Sequence, residues 1–240
     1  MAVAFSITFV AYVALVETLR NGVFGLSGFE VTVIGHVALL LAAVALLRSD
    51  LALLVRRPRQ SPDARLGADW TVGRSFAALL LGPLVLMIPL VYGAVTGAVT
   101  LSALPKTIAA EQIAAALAVS FVLNLFFRET AVKCFGGRGL ALFLASGLAC
   151  FIYALPQGPW TALIVAGSGI YYLALRVSGG NMLAITLAQA ATMLIGPQLF
   201  GLPGGAEFPR YAIWFTVAAI AMSLTVLSTL APKQSELRYA

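Results

Sequence analysis

Charged side chains are scarce in this chain, since Asp, Glu, Lys and Arg make up only 10% of its 240 residues. A soluble domain usually has about 25% charged residues, because it must present a surface that water solvates. Hydrophobic residues make up 61% of the chain, and the mean hydropathy is +0.98. The composition therefore excludes a soluble globular domain and predicts an integral membrane protein.

Metal-ligating residues are also rare. The chain has one histidine, His36, and two cysteines, Cys134 and Cys150, which form no CxxC pair. This pattern predicts neither a metal site nor a disulfide framework, and we expect both thiols to pack as small apolar groups. His36 lies within an apolar run, where a neutral imidazole either bonds a neighbouring helix or ligates a haem or pigment metal. No cofactor is predicted, and binding of a pigment, a quinone or a lipid stays open.

Long apolar runs are the main feature that the sequence does contain. A run of about 20 apolar residues crosses the bilayer core as a helix, which satisfies its own backbone hydrogen bonds. The first run lacks the charged start and the cleavage site of a signal peptide, and we interpret it as a retained helix. The third run contains Pro83 and Pro89, which favour one kinked or tilted span over two re-entrant halves. The eight predicted spans are 2–19, 31–47, 75–100, 108–127, 139–155, 159–175, 181–200 and 211–230.

Basic residues are distributed unevenly between the connecting segments. Of the 15 Lys and Arg residues, only Arg20, Lys106 and Arg210 lie on one side of the predicted bundle. The positive-inside rule then makes both termini cytoplasmic, and we expect the protein in a bacterial inner membrane. The remaining basic residues lie in the loops 48–74, 128–138 and 176–180 and in the tail 231–240.

The loop 48–74 carries Arg56, Arg57 and Arg59 close together. Such a cluster beside a span attracts anionic lipid head groups. The chain has no aromatic interleaving or reader motif that would favour nucleic acid over lipid, so no nucleic-acid partner is predicted. The fold class that follows is all-α, with one transmembrane domain over residues 1–240.

Two glutamates lie close to predicted span ends. Glu17 precedes Arg20 by one helical turn, which predicts a local ion pair at the membrane interface. Glu111 lies about a turn inside the fourth span, where it either accepts from Lys106 or another helix or serves in a proton relay. No second carboxylate follows it at helical spacing, so no paired acid and base is predicted.

Small residues form rows in the C-terminal half of the chain. The segments "GLALFLASGLAC", "ALIVAGSGIYY" and "LAITLAQAATMLIG" place Gly, Ala, Ser and Thr where helices can approach closely. We expect a compact bundle there. Such rows also suit a transporter, but the two halves of the chain show no matching pair of broken segments.

The segment "LNLFFRE", residues 123–129, resembles the first motif of the CAAX-protease and abortive-infection (CPBP) family of intramembrane proteins. In that family two adjacent glutamates are followed after three residues by an arginine, within an FRG context. Here Phe127 and Arg128 are kept, whereas Leu123 and Asn124 stand at the glutamate positions. Glu129 stands at the usual glycine position.

Two later segments resemble the family's other motifs. "SGLACFIYALP" keeps Phe151 and Pro156, but Ala154 stands at the histidine position. "GIYYLALRVSGGNMLAITLAQAATM" keeps the arginine and glycine of a turn at Arg176 and Gly179. In the helix that follows, Gln189 stands for a histidine and Met193 for an asparagine. The resemblance therefore implies a CPBP-like core over residues 121–193.

The departures from these motifs imply a pseudoprotease. Peptide hydrolysis driven by a glutamate needs a carboxylate to activate water and a donor for the oxyanion, and leucine and alanine supply neither. Asn124 and Gln189 take no proton at neutral pH, and we expect them to face each other as interhelical hydrogen-bonding partners. Glu129 is expected at the membrane interface, paired with Arg128, Lys133 or head groups.

The predicted function is that of a non-catalytic binding, accessory or assembly subunit, for a membrane complex or a lipophilic ligand. Two alternatives stay open: an intramembrane protease with a non-standard site, for instance at Glu129, and a small-molecule transporter. The expected partners are membrane lipids and other transmembrane proteins. The candidate binding residues are Asn124, Arg128, Glu129, Gln189 and His36.

Aromatic residues on the terminal spans are candidate contact points for other transmembrane helices. We expect Phe5, Phe9, Tyr12 and Trp214 to face the lipid. Tyr211 and Trp214 also suit the role of simple membrane anchors near the interface.

Overall fold

The computed structural model describes residues 2–21, 25, 27–56, 72–102, 107–132, 140–178 and 182–230. Within these ranges, eight helical segments are long and apolar enough to cross a membrane, which confirms the predicted all-α membrane bundle. The α-helices are α1 Ala2–Arg20, α2 Gly28–Arg56, α3 Val72–Leu81, α4 Met87–Thr96, α5 Ala110–Val122, α6 Leu140–Ala154, α7 Pro159–Val177, α8 Met182–Leu199 and α9 Glu207–Leu230.

Three irregular helical segments interrupt or extend these helices. The 3₁₀-helix Gly82–Leu86 separates α3 from α4, and Pro83 stands in its first turn. A proline has no N–H to donate, which favours a change in the helical hydrogen bonding at this point. Residues Phe76–Thr96 form one candidate span, as expected, and not two re-entrant halves. The π-helix Leu123–Thr130 extends α5, and the 3₁₀-helix Leu155–Gln157 extends α6.

The predicted loop 48–74 is shorter in the structure than the charge pattern indicated. Helix α2 continues to Arg56, and α3 begins at Val72. Polar and basic residues end an apolar run in the sequence, but they do not end a helix, because arginine is itself a good helix former. Arg57 and Arg59 lie outside the described residues.

Two short strands were not predicted. Thr100–Leu101 (β1) pairs antiparallel with Phe200–Gly201 (β2), so the chain segments after α4 and after α8 meet. Because consecutive spans alternate in direction, this pair lies on the side of the bundle on which α1 ends. We call that side the Arg20 end; helices α2, α5, α7 and α9 begin there.

Small residues bring α6, α7 and α9 close together, as the rows of small residues in the C-terminal half of the sequence predicted. A Cβ atom added at Gly167 would lie 3.0 Å from Thr216 Cα of α9. On the other side of α7, a Cβ atom at Gly169 would lie 2.9 Å from Cys150 Sγ of α6. Hydrogen at these positions lets the helix backbones approach to packing distance. Cys150 is buried as expected, and Cys134 lies outside the described residues.

The prediction that Phe5 and Phe9 face the lipid is wrong. Both rings are buried, with 4% and 8% of their surface exposed. Phe5 stacks on Phe126 with ring centroids 5.3 Å apart, and Phe9 meets Phe127 edge to face at 5.4 Å. Helix α1 is therefore held against the π-helix by aromatic packing.

The expectation for α9 is half confirmed. Trp214 is 44% exposed, in agreement with a lipid-facing position. Tyr211 is 2% exposed and packs against the rings of Tyr92 and Phe215, so its interpretation as a simple anchor is wrong. The Tyr92 hydroxyl in turn donates to Glu207 Oε1 at 2.5 Å, which fastens the start of α9 to α4.

Candidate functional site

The π-helix turns the side chains of Asn124 and Arg128 into the interior, where they meet Gln189 of α8. The Asn124 amide donates to Gln189 Oε1 at 3.0 Å and to the Ser120 carbonyl at 2.7 Å. The predicted contact between Asn124 and Gln189 is thus confirmed. All three side chains are at most 3% exposed. We call Asn124, Arg128 and Gln189 the Arg128 cluster.

Arg128 is the centre of this cluster. Its Nη1 donates to Asn124 Oδ1 and, at 2.8 Å, to Gln189 Oε1. Its Nε donates to the Gly169 carbonyl at 3.4 Å, and its guanidinium carbon lies 5.3 Å from the centre of the Tyr172 ring. Within the described part of the chain, Nη2 has no hydrogen-bond partner. A buried cation is therefore held by neutral oxygens and an aromatic face.

Sequence reasoning missed the second layer around the cluster. The Tyr172 hydroxyl lies 2.8 Å from Thr192 Oγ1 and 3.2 Å from the Gly82 carbonyl, so the ring that faces Arg128 is itself fixed. The only sequence signal was an aromatic pair, Tyr171 and Tyr172, inside a row of small residues. A tyrosine in the middle of an apolar span usually finds a polar partner for its hydroxyl.

Glu129 lies next to Arg128 in the chain but belongs to a different contact. It is 3% exposed, and both of its carboxylate oxygens accept from Arg176 of α7, with Nη2 at 3.1 Å from Oε2. The structure pairs Glu129 with Arg176, a partner that was not predicted, in place of Arg128. Successive residues of a helix point in different directions, so neighbours in the chain face different helices. Lys133 lies outside the described residues.

The other positions that resemble catalytic ones lie apart from the cluster. Leu123 packs in the aromatic cluster of α1 and the π-helix, and Ala154 is buried at the end of α6. Met193 is 39% exposed, and its Sδ accepts from Ser120 Oγ at 3.5 Å. Arg176 does lie in the interior, whereas Gly179 falls outside the described residues.

His36 joins α2 to α6 and does not approach the Arg128 cluster. Its Nε2 lies 2.5 Å from the Tyr153 hydroxyl, and its Nδ1 lies 2.6 Å from the Thr32 carbonyl. Both ring nitrogens are thus engaged within the protein, which favours the bond to a neighbouring helix over a ligand role. The described ranges contain no group of three or more His, Cys, Asp or Glu side chains suited to a metal ion.

The two remaining glutamates of the sequence analysis both lie at the Arg20 end. Glu17 and Arg20 form the predicted ion pair, with Oε1 and Nη1 3.6 Å apart. Glu111 is exposed in the first turn of α5, where a carboxylate is favourable beside the partial positive charge of the helix N-terminus. Lys106 lies outside the described residues.

Fold and site together define an all-α membrane bundle with a buried guanidinium and amide cluster in its interior. No family model matches the chain, and neither a curated protein nor a solved structure matches it.

Proposed function

We propose that the chain is a non-catalytic membrane protein on a CPBP-like helical framework, which acts as a binding or accessory component of a larger membrane assembly. The observation that carries the proposal is the composition of the Arg128 cluster. Hydrolysis needs a group that accepts a proton near neutral pH, and a guanidinium with two amides provides none. The nearest carboxylate along the chain, Glu129, is already bound to Arg176.

The cluster instead serves to fix the helices. Its bonds tie the π-helix to α8 through Gln189 and to α7 through the Gly169 carbonyl. Interhelical hydrogen bonds in membranes average about 0.6 kcal/mol, and those to charged groups are stronger. A rigid interior of this kind leaves function to the outer surface of the bundle.

A groove between α5 and α8 is the surface best suited to a second transmembrane helix. It has a volume of about 280 Å³ and is bordered by Ala115, Ala116 and Val119 on one side and by Leu194 and Pro197 on the other. Without a hydrophobic driving force between helices in lipid, association depends on close packing, and alanines allow a neighbouring backbone to come near. The occupant that we propose is a transmembrane helix of a partner protein.

The proposed contact with a partner helix is tested by a larger side chain that fills the groove between α5 and α8. Ala115→Leu should reduce the fraction of the protein that migrates with a larger assembly in mild detergent by about tenfold, the effect of ~1.4 kcal/mol of lost packing. Ala118→Leu is the matched control, because Ala118 is exposed on the same helix and does not border the groove. Equal migration of both variants with the assembly, or a sharp monomer for the unmodified protein across several detergents, would contradict the proposal.

The absence of catalysis is tested separately. Purified protein incubated with prenylated and unmodified peptides should produce no cleavage above the level of the buffer, because the interior supplies no general base. Cleavage that Glu129→Gln abolishes and the exposed variant Glu111→Gln retains would favour the non-standard protease instead.

A further inference from the structure

A cleft at the Arg20 end lies between α1, the start of α2 and the end of α6 with the 3₁₀-helix that extends it. The ring of Tyr153, one residue before the end of α6, stacks against Tyr12 at 6.3 Å and meets His36 at 5.8 Å. These three residues therefore lie at one level. From that level α1 continues to Arg20 and α2 extends back to Gly28, each for about 12 Å at 1.5 Å per residue. The space above the end of α6 is about 240 Å³ and adjoins a smaller cavity of about 60 Å³.

The floor of the cleft carries polar groups that are hydrogen-bonded to one another. His36 Nδ1 lies 2.6 Å from the Thr32 carbonyl, which can only accept, so this nitrogen carries the proton. Nε2 lies 2.5 Å from the Tyr153 hydroxyl, so the bond between these two groups occupies both of them. The Tyr12 hydroxyl has no hydrogen-bond partner among the described residues and borders both cavities. It is the O–H donor left for a ligand at this depth.

The rim of the cleft carries one charge of each sign. Glu17 and Arg20 lie 3.6 Å apart, beyond the distance of a direct hydrogen bond, and their side chains are 55% and 41% exposed. Both retain the capacity to bond a further group. The cleft is also lined by apolar side chains, with Val13 and Val16 on α1 and Ile152 on α6.

We propose that this cleft binds a phospholipid whose head group carries both a phosphate and a primary ammonium, as in phosphatidylethanolamine. The phosphate bonds the Arg20 guanidinium and the ammonium bonds the Glu17 carboxylate. An ester carbonyl just below the head group accepts from the Tyr12 hydroxyl, and an acyl chain follows Val13 and Ile152. This site lies on a different surface from the groove between α5 and α8, so the inference goes beyond the proposed function.

Charge complementarity selects this head group over the common alternatives. A phosphatidylglycerol head group is anionic and places no cation near Glu17, so the carboxylate repels it. A choline head group is zwitterionic, but its ammonium carries methyl groups and donates no hydrogen bond. A primary ammonium supplies charge and three donors to the carboxylate, and the phosphate finds the fork of donors on arginine.

The test measures lipid binding to the purified full-length chain in detergent by native mass spectrometry. Phosphatidylethanolamine, phosphatidylcholine and phosphatidylglycerol with identical acyl chains are titrated separately. We expect the ethanolamine lipid to bind about tenfold more tightly than the other two, the ratio that ~1.4 kcal/mol produces. Glu17→Gln should remove its advantage over the choline lipid. Arg20→Gln should weaken the ethanolamine and choline lipids alike, and Tyr12→Phe should weaken all three.

Two matched controls lie at the same end of the bundle. Arg210 belongs to a second Glu–Arg pair, with Glu207 at 3.3 Å, and Glu111 is an exposed carboxylate; neither borders the cleft. Arg210→Gln and Glu111→Gln should leave the order of the three lipids unchanged. Equal binding of the three lipids, preference for phosphatidylglycerol, or equal losses in Arg20→Gln and Arg210→Gln would overturn the proposal. These outcomes leave co-migration with a partner assembly untouched, so the two proposals fail separately.

Discussion

Arg128 is a cation in the bundle interior whose described hydrogen bonds all end on neutral oxygens. A charged side chain inside a membrane bundle is costly, because its charge loses hydration. Two amide oxygens, one carbonyl and the Tyr172 ring offset this cost, because a charge makes stronger hydrogen bonds than a neutral donor does. Glu129, one residue further along, forms its hydrogen bonds with Arg176. Adjacent residues thus serve different helix contacts.

Substitutions of Gln189 test whether hydrogen bonds to neutral oxygens stabilise the buried Arg128. Gln189→Leu removes an acceptor from both Arg128 and Asn124, and we expect a loss of about 2 kcal/mol in the free energy of unfolding, the value of a hydrogen bond to a charged group. Gln189→Glu keeps both bonds and adds a counter-charge, so the protein should remain as stable as the unmodified chain or more so. Thermal unfolding in detergent measures both variants. Equal destabilisation of the two would show that packing at this position, and not charge, is what matters.

Helix α7 occupies the middle of the C-terminal bundle because glycines face both of its neighbours. Gly169 meets α6 at Cys150, and Gly167 meets α9 at Thr216. The row of small residues in the sequence therefore corresponds to two opposite contact faces on one helix. On the other side of the molecule, aromatic rings take this role, and α1 packs through Phe5 and Phe9.

Gly167→Val tests the close approach of α7 and α9. A Cβ atom there meets the backbone of Thr216 at 3.0 Å, so the helices must separate, and we expect destabilisation of about 1–3 kcal/mol. Gly204→Ala is the control, since a Cβ atom at Gly204 has no neighbour within 4 Å. Thermal unfolding should show a lower midpoint for the first variant only. An unchanged midpoint for Gly167→Val would mean that the contact tolerates separation.

The described part of the chain contains eight helical segments that suit a membrane span, and in the sequence only Arg20, Lys106 and Arg210 fall on the Arg20 side of the predicted spans. The positive-inside rule then predicts that residues 48–74 and both termini face the cytoplasm. A cysteine introduced at Gln60 should resist a membrane-impermeant thiol reagent added to intact cells. A cysteine introduced at Gly204, at the Arg20 end, should react. The reverse pattern of labelling would invert the orientation.

Spans and their irregularities were readable from the sequence because they depend on local chemistry. The length of an apolar run determines whether a helix can cross the bilayer, and Pro83 removes a backbone donor from its helix whatever its neighbours are. The ion pair of Glu17 with Arg20 is equally local, since one helical turn separates them. The contact of Asn124 with Gln189 followed from the spacing of polar positions in motifs that resemble those of a known family.

The direction in which each helix faces was decided by the tertiary structure alone. In a soluble helix the polar face marks the outside, but in a membrane lipid-facing and protein-facing positions are both apolar, so the pattern carries no such mark. Phe5, Phe9 and Tyr211 therefore turned inward against expectation. For the same reason, the partner of Glu129 and the cleft above α6 depend on which helices become neighbours, and the order of residues along the chain does not contain that information.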